Sequence, residues 1–336
     1  MDQWTWTVLK TFLADYRTDL FHLCNLWKVL VLAVGGLFLL KIYSTLTLGI
    51  CKDKRDLRGK TVIITGGNTG IGKETAMELA RRHARVILAC RNQEKAKLAS
   101  DDIVSLTGNK NVKIMKLDLS SQKSVRKFAE EFKRTNDRLD ILINNAAVFA
   151  LRERTLTVDG YETTFATNHL GHFLLTNLLL DLLKKSAPSR IINVSSESHR
   201  LGTIRFDNLN SERSYVSDIA YSHTKLANIL FTRELAKRLA RTGVTTYSLH
   251  PGLVCTDIFR HYFGVRKFLV NLVISMYGKT ALQGAQTTVF LAVKPGIESF
   301  SGSYFSDCKV VGTSAKAMDM KIAQKLWEVS EEMTRL

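Results

Sequence analysis

Proline is nearly absent from this chain of 336 residues: Pro188, Pro251 and Pro295 are all it has. Long rigid linkers and proline-rich arms are therefore excluded. Cysteine is sparse and scattered. Cys24, Cys51, Cys90, Cys255 and Cys308 are odd in number and include no C-x-x-C pair, which argues against both a disulfide framework and a thiolate zinc site. Nor do His169, His172, His199, His223 and His250 form an H-x-x-x-H pair with a carboxylate at metal-ligand spacing. They are expected to pack or to orient neighbours, with no metal bound. Internal repeats are missing too. The formal net charge is +17, but no arginine-rich run with interleaved aromatics accompanies it, so no nucleic-acid partner is expected. Such an excess suits an anionic membrane face and a phosphate-rich cofactor.

What the N-terminal region does have is apolar length. Every residue from Val29 to Leu40 is apolar or glycine, and after Lys41 the apolar character resumes from Ile42 to Cys51. This is just enough to span a bilayer, with Lys41 as a defect costing about 2.5–3.5 kcal/mol at the centre and less if it snorkels. A cleaved signal peptide fits worse, because the run starts late and lacks a small-residue cleavage site. An interfacial anchor that does not cross is the alternative. Lys52, Lys54, Arg55, Arg58 and Lys60 crowd the following segment, so the positive-inside tendency turns the remainder of the chain to the cytosol. The expected organisation is an N-terminal membrane anchor over 1–51, a basic juxtamembrane linker over 52–59 and a catalytic domain over 60–336. The expected location is an intracellular membrane, the endoplasmic reticulum, with a single pass.

From Lys60 onward short apolar runs alternate with helical ones. Strands are predicted over Thr61 to Thr65, Arg85 to Ala89, Val112 to Leu117 and Asp140 to Asn144, with helices over Ile71 to His83, Gln93 to Leu106 and Ser121 to Arg134. The pattern predicts an α/β fold with a Rossmann-type, doubly wound parallel sheet of about seven strands, covered by helices on both faces. The first strand and helix are joined by Thr65-Gly66-Gly67-Asn68-Thr69-Gly70-Ile71-Gly72. Glycines there let the backbone approach a pyrophosphate at a helix N-terminus. An acidic residue that would hold a free ribose 2′-hydroxyl is lacking at the end of the second strand. Cys90 and Arg91 stand there, and an arginine can pair with a 2′-phosphate, which favours NADP(H) over NAD.

Tyr221 and Lys225 lie four residues apart in an apolar run, Ile219 to Phe231, so they share one helix face. An isolated tyrosine holds its proton to about pH 10, but an adjacent ammonium favours the phenolate. Tyr221 is therefore a candidate proton shuttle.

Three further stretches now join the pattern: Asp140 to Ala147, reading DILINNAA; Thr167 to Phe173, reading TNHLGHF; and Arg190 to Ser196, reading RIINVSS. With the glycine loop, Tyr221/Lys225 and His250-Pro251-Gly252, they make the chain resemble the short-chain dehydrogenases/reductases over about residues 58 to 310. The motifs NHLGHF (Asn168 to Phe173), KLAN (Lys225 to Asn228) and YFSDC (Tyr304 to Cys308) resemble the membrane-anchored, NADP-preferring retinol dehydrogenase branch. The resemblance implies that Tyr221 is the general acid/base, that Lys225 binds the nicotinamide ribose and tunes Tyr221, that Ser196 hydrogen-bonds the reacting substrate oxygen, and that Asn168 holds a water linking Lys225 to solvent. Ser195 is disfavoured because side chains alternate along a strand. The implied cofactor contacts are Gly66, Asn68, Thr69, Gly70, Ile71, Gly72, Arg91, Asp118, Asn145, Ala146, Tyr221, Lys225, Pro251, Gly252 and Thr256. For Asp118 the alternative is a helix N-cap. An inserted substrate-side segment, Leu201 to Tyr215, accounts for the long interval between Ser196 and Tyr221.

One departure stands out: Ala147 replaces the glycine usual in NNAG, and its methyl narrows the space beside the cofactor. On that residue rests the alternative of a catalytically silent NADP-binding membrane scaffold. The apolar segment Ile258 to Tyr277 is expected to act as a lid, around 253–278, over a greasy pocket, with an ordinary core helix as the alternative. Together these features predict an NADP(H)-dependent oxidoreductase of hydrophobic alcohols and carbonyls. Retinol and retinal are the leading pair, and a steroid or fatty aldehyde is the alternative. The oligomeric state is left between monomer and homodimer.

Overall fold

The computed structural model describes residues 45–256 and 276–336 continuously, with scattered positions between 6 and 42 and between 264 and 274. The anchor expected over 1–51 and the lid expected around 253–278 lie largely outside these residues. Among the described residues no helix is long and apolar enough to cross a membrane. Two compact units are present, Met1–Leu48 and Gly49–Leu336.

The second unit is built on one sheet of eight strands in the order β3-β2-β1-β4-β5-β6-β7-β8. They are β1 Thr61–Thr65, β2 Arg85–Cys90, β3 Val112–Lys116, β4 Ile141–Asn144, β5 Ser189–Val194, β6 Val244–His250, β7 Tyr304–Ser306 and β8 Lys309–Val310. All neighbouring pairs are parallel except β7 with β8. The expected count of seven is short by β8, a two-residue strand too brief to leave an alternating pattern in the sequence.

Alternate residues of each strand serve opposite layers. Val62, Ile64, Val86, Leu88, Ile141 and Ile143 face a core shared with α1 (Gly70–Arg81), α2 (Gln93–Thr107) and α6 (Ala281–Val293). Ile63, Ile87, Leu142 and Ile191 face the other, shared with α3 (Gln122–Thr135), α4 (Gly171–Lys185) and α5 (Ser217–Arg238). Each such side chain removed from water stabilises the fold by about 1.5–3 kcal/mol. That is why these strands are apolar throughout instead of alternating with polar residues. A third cluster packs α7 (Met320–Thr334) on α5 through Leu326, Leu230 and Leu226.

Between β1 and β4 the strand order reverses, and beyond the carboxyl ends of these strands a crevice opens. Open α/β sheets bind ligands at such a switch point. The TNHLGHF motif runs from an irregular turn into a helix. A wide π-turn, Ala166–Leu170, precedes α4, and π-turns of this kind cluster at functional sites.

Candidate active site

The β1–α1 turn forms one wall of the crevice. Gly66 and Gly70 take φ of +65° and +52°, conformations that side chains resist. A Cβ at Gly72 would run into the Gly66 carbonyl and sit 2.6 Å from Asn145 Nδ2, and one at Gly70 would sit 2.9 Å from Thr256 Cγ2. Thr69 occupies the N-cap of α1 without a side-chain cap bond, and no acidic residue stands in the first turn. The free N–H groups and the helix dipole there attract anions.

The opposite wall is the end of β4, and Thr65 stitches the two together. Its hydroxyl accepts the N–H of Asn145 at 2.9 Å and of Ala146 at 3.0 Å, and meets His172 Nε2 at 2.9 Å. His172 Nδ1 lies 3.1 Å from the Asn168 carbonyl. With Thr65 accepting two protons, its own goes to Nε2, so Nδ1–H donates to Asn168. Burial holds His172 down to about 3, so it stays neutral and this arrangement persists. Asn145 Nδ2 donates back to the Thr65 carbonyl at 2.9 Å.

Between the walls is a cleft of about 380 Å³, lined by Gly66, Asn68, Thr69, Gly70, Ile71, Gly72, Arg91, Asp118, Asn145, Ala146 and Thr256. Thus eleven of the fifteen expected cofactor residues line it. Pro251 and Gly252 do not. Tyr221 and Lys225 sit outside this lining as well. Ala147 lines the cleft and leaves it open. Asp118 is not the helix cap: Ser121 caps α3 by accepting from Ser124 N, while Asp118 Oδ1 accepts from Ser120 N at 3.0 Å and Ser120 Oγ at 2.6 Å.

At the far end of the cleft Arg91 is joined by Asn92 and Lys95. Neither cation pairs with a carboxylate among the described residues; nearby Asp102 is held by Lys73 at 2.6 Å. Cys90 supports the loop from below. Burial pushes its thiol up to about 11, although the N–H groups of Gly67, Asn68 and Gly66 pull the other way, so it is a packing residue and no nucleophile.

Tyr221 and Lys225 sit one turn apart on α5, both buried. Lys225 Nζ lies 5.2 Å from the Tyr221 ring centroid and donates to the Val194 carbonyl at 2.9 Å. Burial holds its ammonium down to about 7. Val194 ends β5, two residues before Ser196, so this bond draws the helix to the serine turn. Both serines lie past the strand end. Ser195 Oγ is buried and donates to the Lys225 carbonyl at 2.7 Å. Ser196 caps a short 3₁₀ turn, Glu197–Leu201, its hydroxyl held only by 3.2 Å bonds with Ser198 N and Ser198 Oγ. A buried backbone bond thus occupies Ser195 but not Ser196, and because both lie past the strand end, strand alternation does not separate them. His199 steadies the turn. Its Nδ1 lies 2.8 Å from the Ser196 carbonyl, and its Nε2 accepts from Ser314 N at 3.2 Å.

Asn168, on the π-turn, is fully buried and clamps the Val148 backbone from both sides. Its Oδ1 accepts from Val148 N at 2.8 Å, and its Nδ2 donates to Val148 O at 2.9 Å. The same Nδ2 reaches Thr224 Oγ1 of α5 at 3.2 Å. One chain of polar contacts thus joins Asn168, the Tyr221/Lys225 helix and the Ser196 turn beside the crevice.

The model of the family described as short chain dehydrogenase matches residues 60–264. This chain belongs to the short-chain dehydrogenase family. Among its curated relatives within this family, retinol dehydrogenase 11 of Homo sapiens is 51% identical over 296 residues, 88% of this chain and 92% of that one. Retinol dehydrogenase 12 of Bos taurus is 52% identical over 285 residues, 85% and 89% of the two chains. Retinol dehydrogenase 14 of Mus musculus is 50% identical over 82% of this chain and 86% of its own. Among solved structures, an uncharacterized protein from Mycobacterium paratuberculosis matches with a TM-score of 0.69 at 36% identity, covering 85% of this chain and 98% of that one. The Pseudomonas aeruginosa RhlG/NADP active-site complex matches with a TM-score of 0.59 at 26% identity, over 74% and 95%. Cofactors of this dehydrogenase family are of the NAD(P)(H) class, and the glycine cradle, the uncapped helix end and the continuous cleft fit a dinucleotide.

Sequence reasoning missed Thr65 and Lys95; for His172 and His199 it expected packing or orienting roles without naming the neighbours, which are Thr65 and the Ser196 carbonyl. Thr65 lay inside a quoted motif without an assigned role, and Lys95 is on the first turn of α2, whereas Arg91 precedes the cap residue Asn92 and lies outside the helix, so no helical spacing links the two. Among the described residues no cluster of three metal-ligating side chains occurs.

Proposed function

We propose that the protein is an NADP(H)-dependent oxidoreductase that interconverts hydrophobic alcohols and carbonyls, and that its working direction is reduction of retinal to retinol. The observation that carries this reading is the buried Lys225 beside Tyr221, joined through Val194 to the Ser196 turn. The names of the relatives, at 51% and 52% identity, support a retinoid substrate. When bound, reduced nicotinamide supplies hydride to the carbonyl carbon. Ser196 Oγ orients the carbonyl oxygen, a role open to it because its present bonds are long and local. Tyr221 donates the proton to that oxygen. In its protonated form Lys225 sets a positive charge next to the phenol and favours its ionised form. Asn168 holds the Val148 backbone and the helix together and so keeps the proton path in register. A panel of retinal, a steroid ketone and a fatty aldehyde, each with NADPH and NADH, tests the reading. Retinal with NADPH is expected to give the highest kcat/KM; no turnover of any member would sink it in favour of a silent scaffold.

Preference for NADP(H) follows from Arg91 and Lys95, two cations without carboxylate partners among the described residues at the adenosine end of the cleft. Replacing Arg91 by Ala is expected to lower the NADPH/NADH ratio of kcat/KM by about 10- to 100-fold, because a charge-assisted contact to phosphate contributes about 1.5–3 kcal/mol. An unchanged ratio would remove Arg91 from cofactor selection.

We further propose a single-pass anchor in the endoplasmic reticulum, from the apolar run Val29 to Cys51, with the catalytic domain on the cytosolic side, from the basic cluster that follows. Protease treatment of sealed microsomes should degrade the catalytic domain; full protection would reverse the orientation.

A further inference from the structure

A phenol transfers a proton efficiently only if its ring cannot swing, and a helix backbone alone leaves a tyrosine two χ1 rotamers and a broad χ2. In this protein the Tyr221 ring meets Phe149 edge to face, with centroids 4.4 Å apart and planes at 64°. The Lys225 ammonium approaches the same ring at 5.2 Å. Phe149 is half-buried, and hydrogen bonds hold the backbone on either side of it. Before it, Val148 has both backbone groups clamped by Asn168, at 2.8 and 2.9 Å. After it, Ala150 is buried and takes φ of +56°, a left-handed conformation that a Cβ disfavours. Next, the Leu151 carbonyl accepts from Tyr215 Oη at 3.1 Å. A strained non-glycine residue persists only where its surroundings over-determine it, and such residues gather at active sites. Here the surroundings on either side are hydrogen bonds, and what they present between them is one aromatic ring placed against the proton donor.

The link is also two-sided. Asn168 Nδ2 contacts Thr224 Oγ1, and Thr224 Oγ1 donates to the Tyr221 carbonyl at 2.7 Å. The same asparagine thus references both the backbone of the Phe149 segment and the backbone of Tyr221, so the two rings are set against each other from a common point.

We propose that Phe149 is a positioning residue for the reaction: its ring, held by the Asn168 clamp and the left-handed turn at Ala150, fixes the rotamer of Tyr221 and so aims the phenol at the reacting oxygen. The inference rests on Tyr221 being the proton donor, as argued under Proposed function. It differs from a pocket-wall role in what it predicts for the kinetic constants. A wall residue acts on substrate KM, whereas a residue that aims the donor acts on kcat.

The experiment uses the full-length protein in detergent with NADPH and retinal. Replacing Phe149 by Ala is expected to lower kcat about 10- to 100-fold, with substrate KM and the NADPH dissociation constant near wild-type values. Phe149→Tyr keeps an aromatic edge at the same place and should restore kcat to within about threefold, whereas Phe149→Leu keeps apolar bulk without the ring and should stay low. Because the alanine variant could fold poorly, Ala150→Gly supplies a second arm: it relaxes the left-handed turn at the cost of one methyl group, leaves Phe149 and Asn168 in place, and should lower kcat with little change in thermal stability. A loss expressed only in KM, or full recovery by leucine, would overturn the proposal. Retained turnover in Tyr221→Phe would instead overturn the proton-donor assignment on which it stands.

Discussion

Replacing Tyr221 by Phe is expected to lower kcat for retinal reduction by about 10²- to 10⁴-fold, the range in which a positioned general acid contributes. The substitution removes one oxygen and leaves the ring. The edge-to-face contact with Phe149 and the approach of Lys225 to the ring both involve the aromatic system and so are retained. The dinucleotide cleft is lined by other residues, so NADPH affinity, read by nucleotide fluorescence titration, should change little. A fall in turnover with intact cofactor binding separates loss of a proton donor from loss of a fold. Equal turnover by variant and wild type would remove Tyr221 from the chemistry and leave only a nucleotide-binding domain.

Replacing Lys225 by Met should abolish most turnover and yet raise the stability of the cofactor-free protein. Lys225 is 2% exposed, and its Nζ donates to one carbonyl among the described residues, that of Val194. Burial holds its ammonium down to about 7, whereas in the unfolded chain it titrates near 10.4. Below about pH 7 both states carry the proton, and the folded state bears the full cost of a buried charge. Between about 7 and 10 the unfolded state binds more protons than the folded one, so wild-type stability from this group rises with pH. A methionine of similar length removes that cost, partly offset by the hydrogen bond lost at Val194. The net gain at pH 6 is expected to be about 1–3 kcal/mol, read as a higher Tm, and it should shrink as the pH is raised to 9. A variant less stable than wild type at pH 6 would show that the lysine is held at a net gain. The expected outcome describes a side chain kept for reaction at a cost to folding.

Much of the fold was legible from residue order. The run from Thr61 to Thr65 is apolar on both faces because both faces are covered, and β1 appears at those residues. The glycine turn, Tyr221/Lys225 and Arg91 each stood in a local pattern whose spacing carries its own physical meaning. Other features had no local signal. The π-turn at Ala166–Leu170 looks in sequence like the start of an ordinary helix. Ser121 and Asp118 are both acceptable caps, and only the positions of Ser120 and Ser124 decide between them. β8 is two residues long and exists because β7 offers it an edge.

The site divides along the same line. Sequence alone marked the side chains able to do chemistry, a first glycine turn of the kind that admits a pyrophosphate, and the shared face of Tyr221 and Lys225, since these follow from patterns of a few residues. Tertiary structure alone decided how Tyr221 and its neighbours are held. Asn168 reaches Val148 and Thr224, Thr65 reaches His172, Lys225 reaches Val194, and Phe149 meets Tyr221. Those partners are separated by 20 to 107 residues, a distance along the chain over which no local preference acts. Only the return of the backbone to the same sheet edge brings them within bonding range.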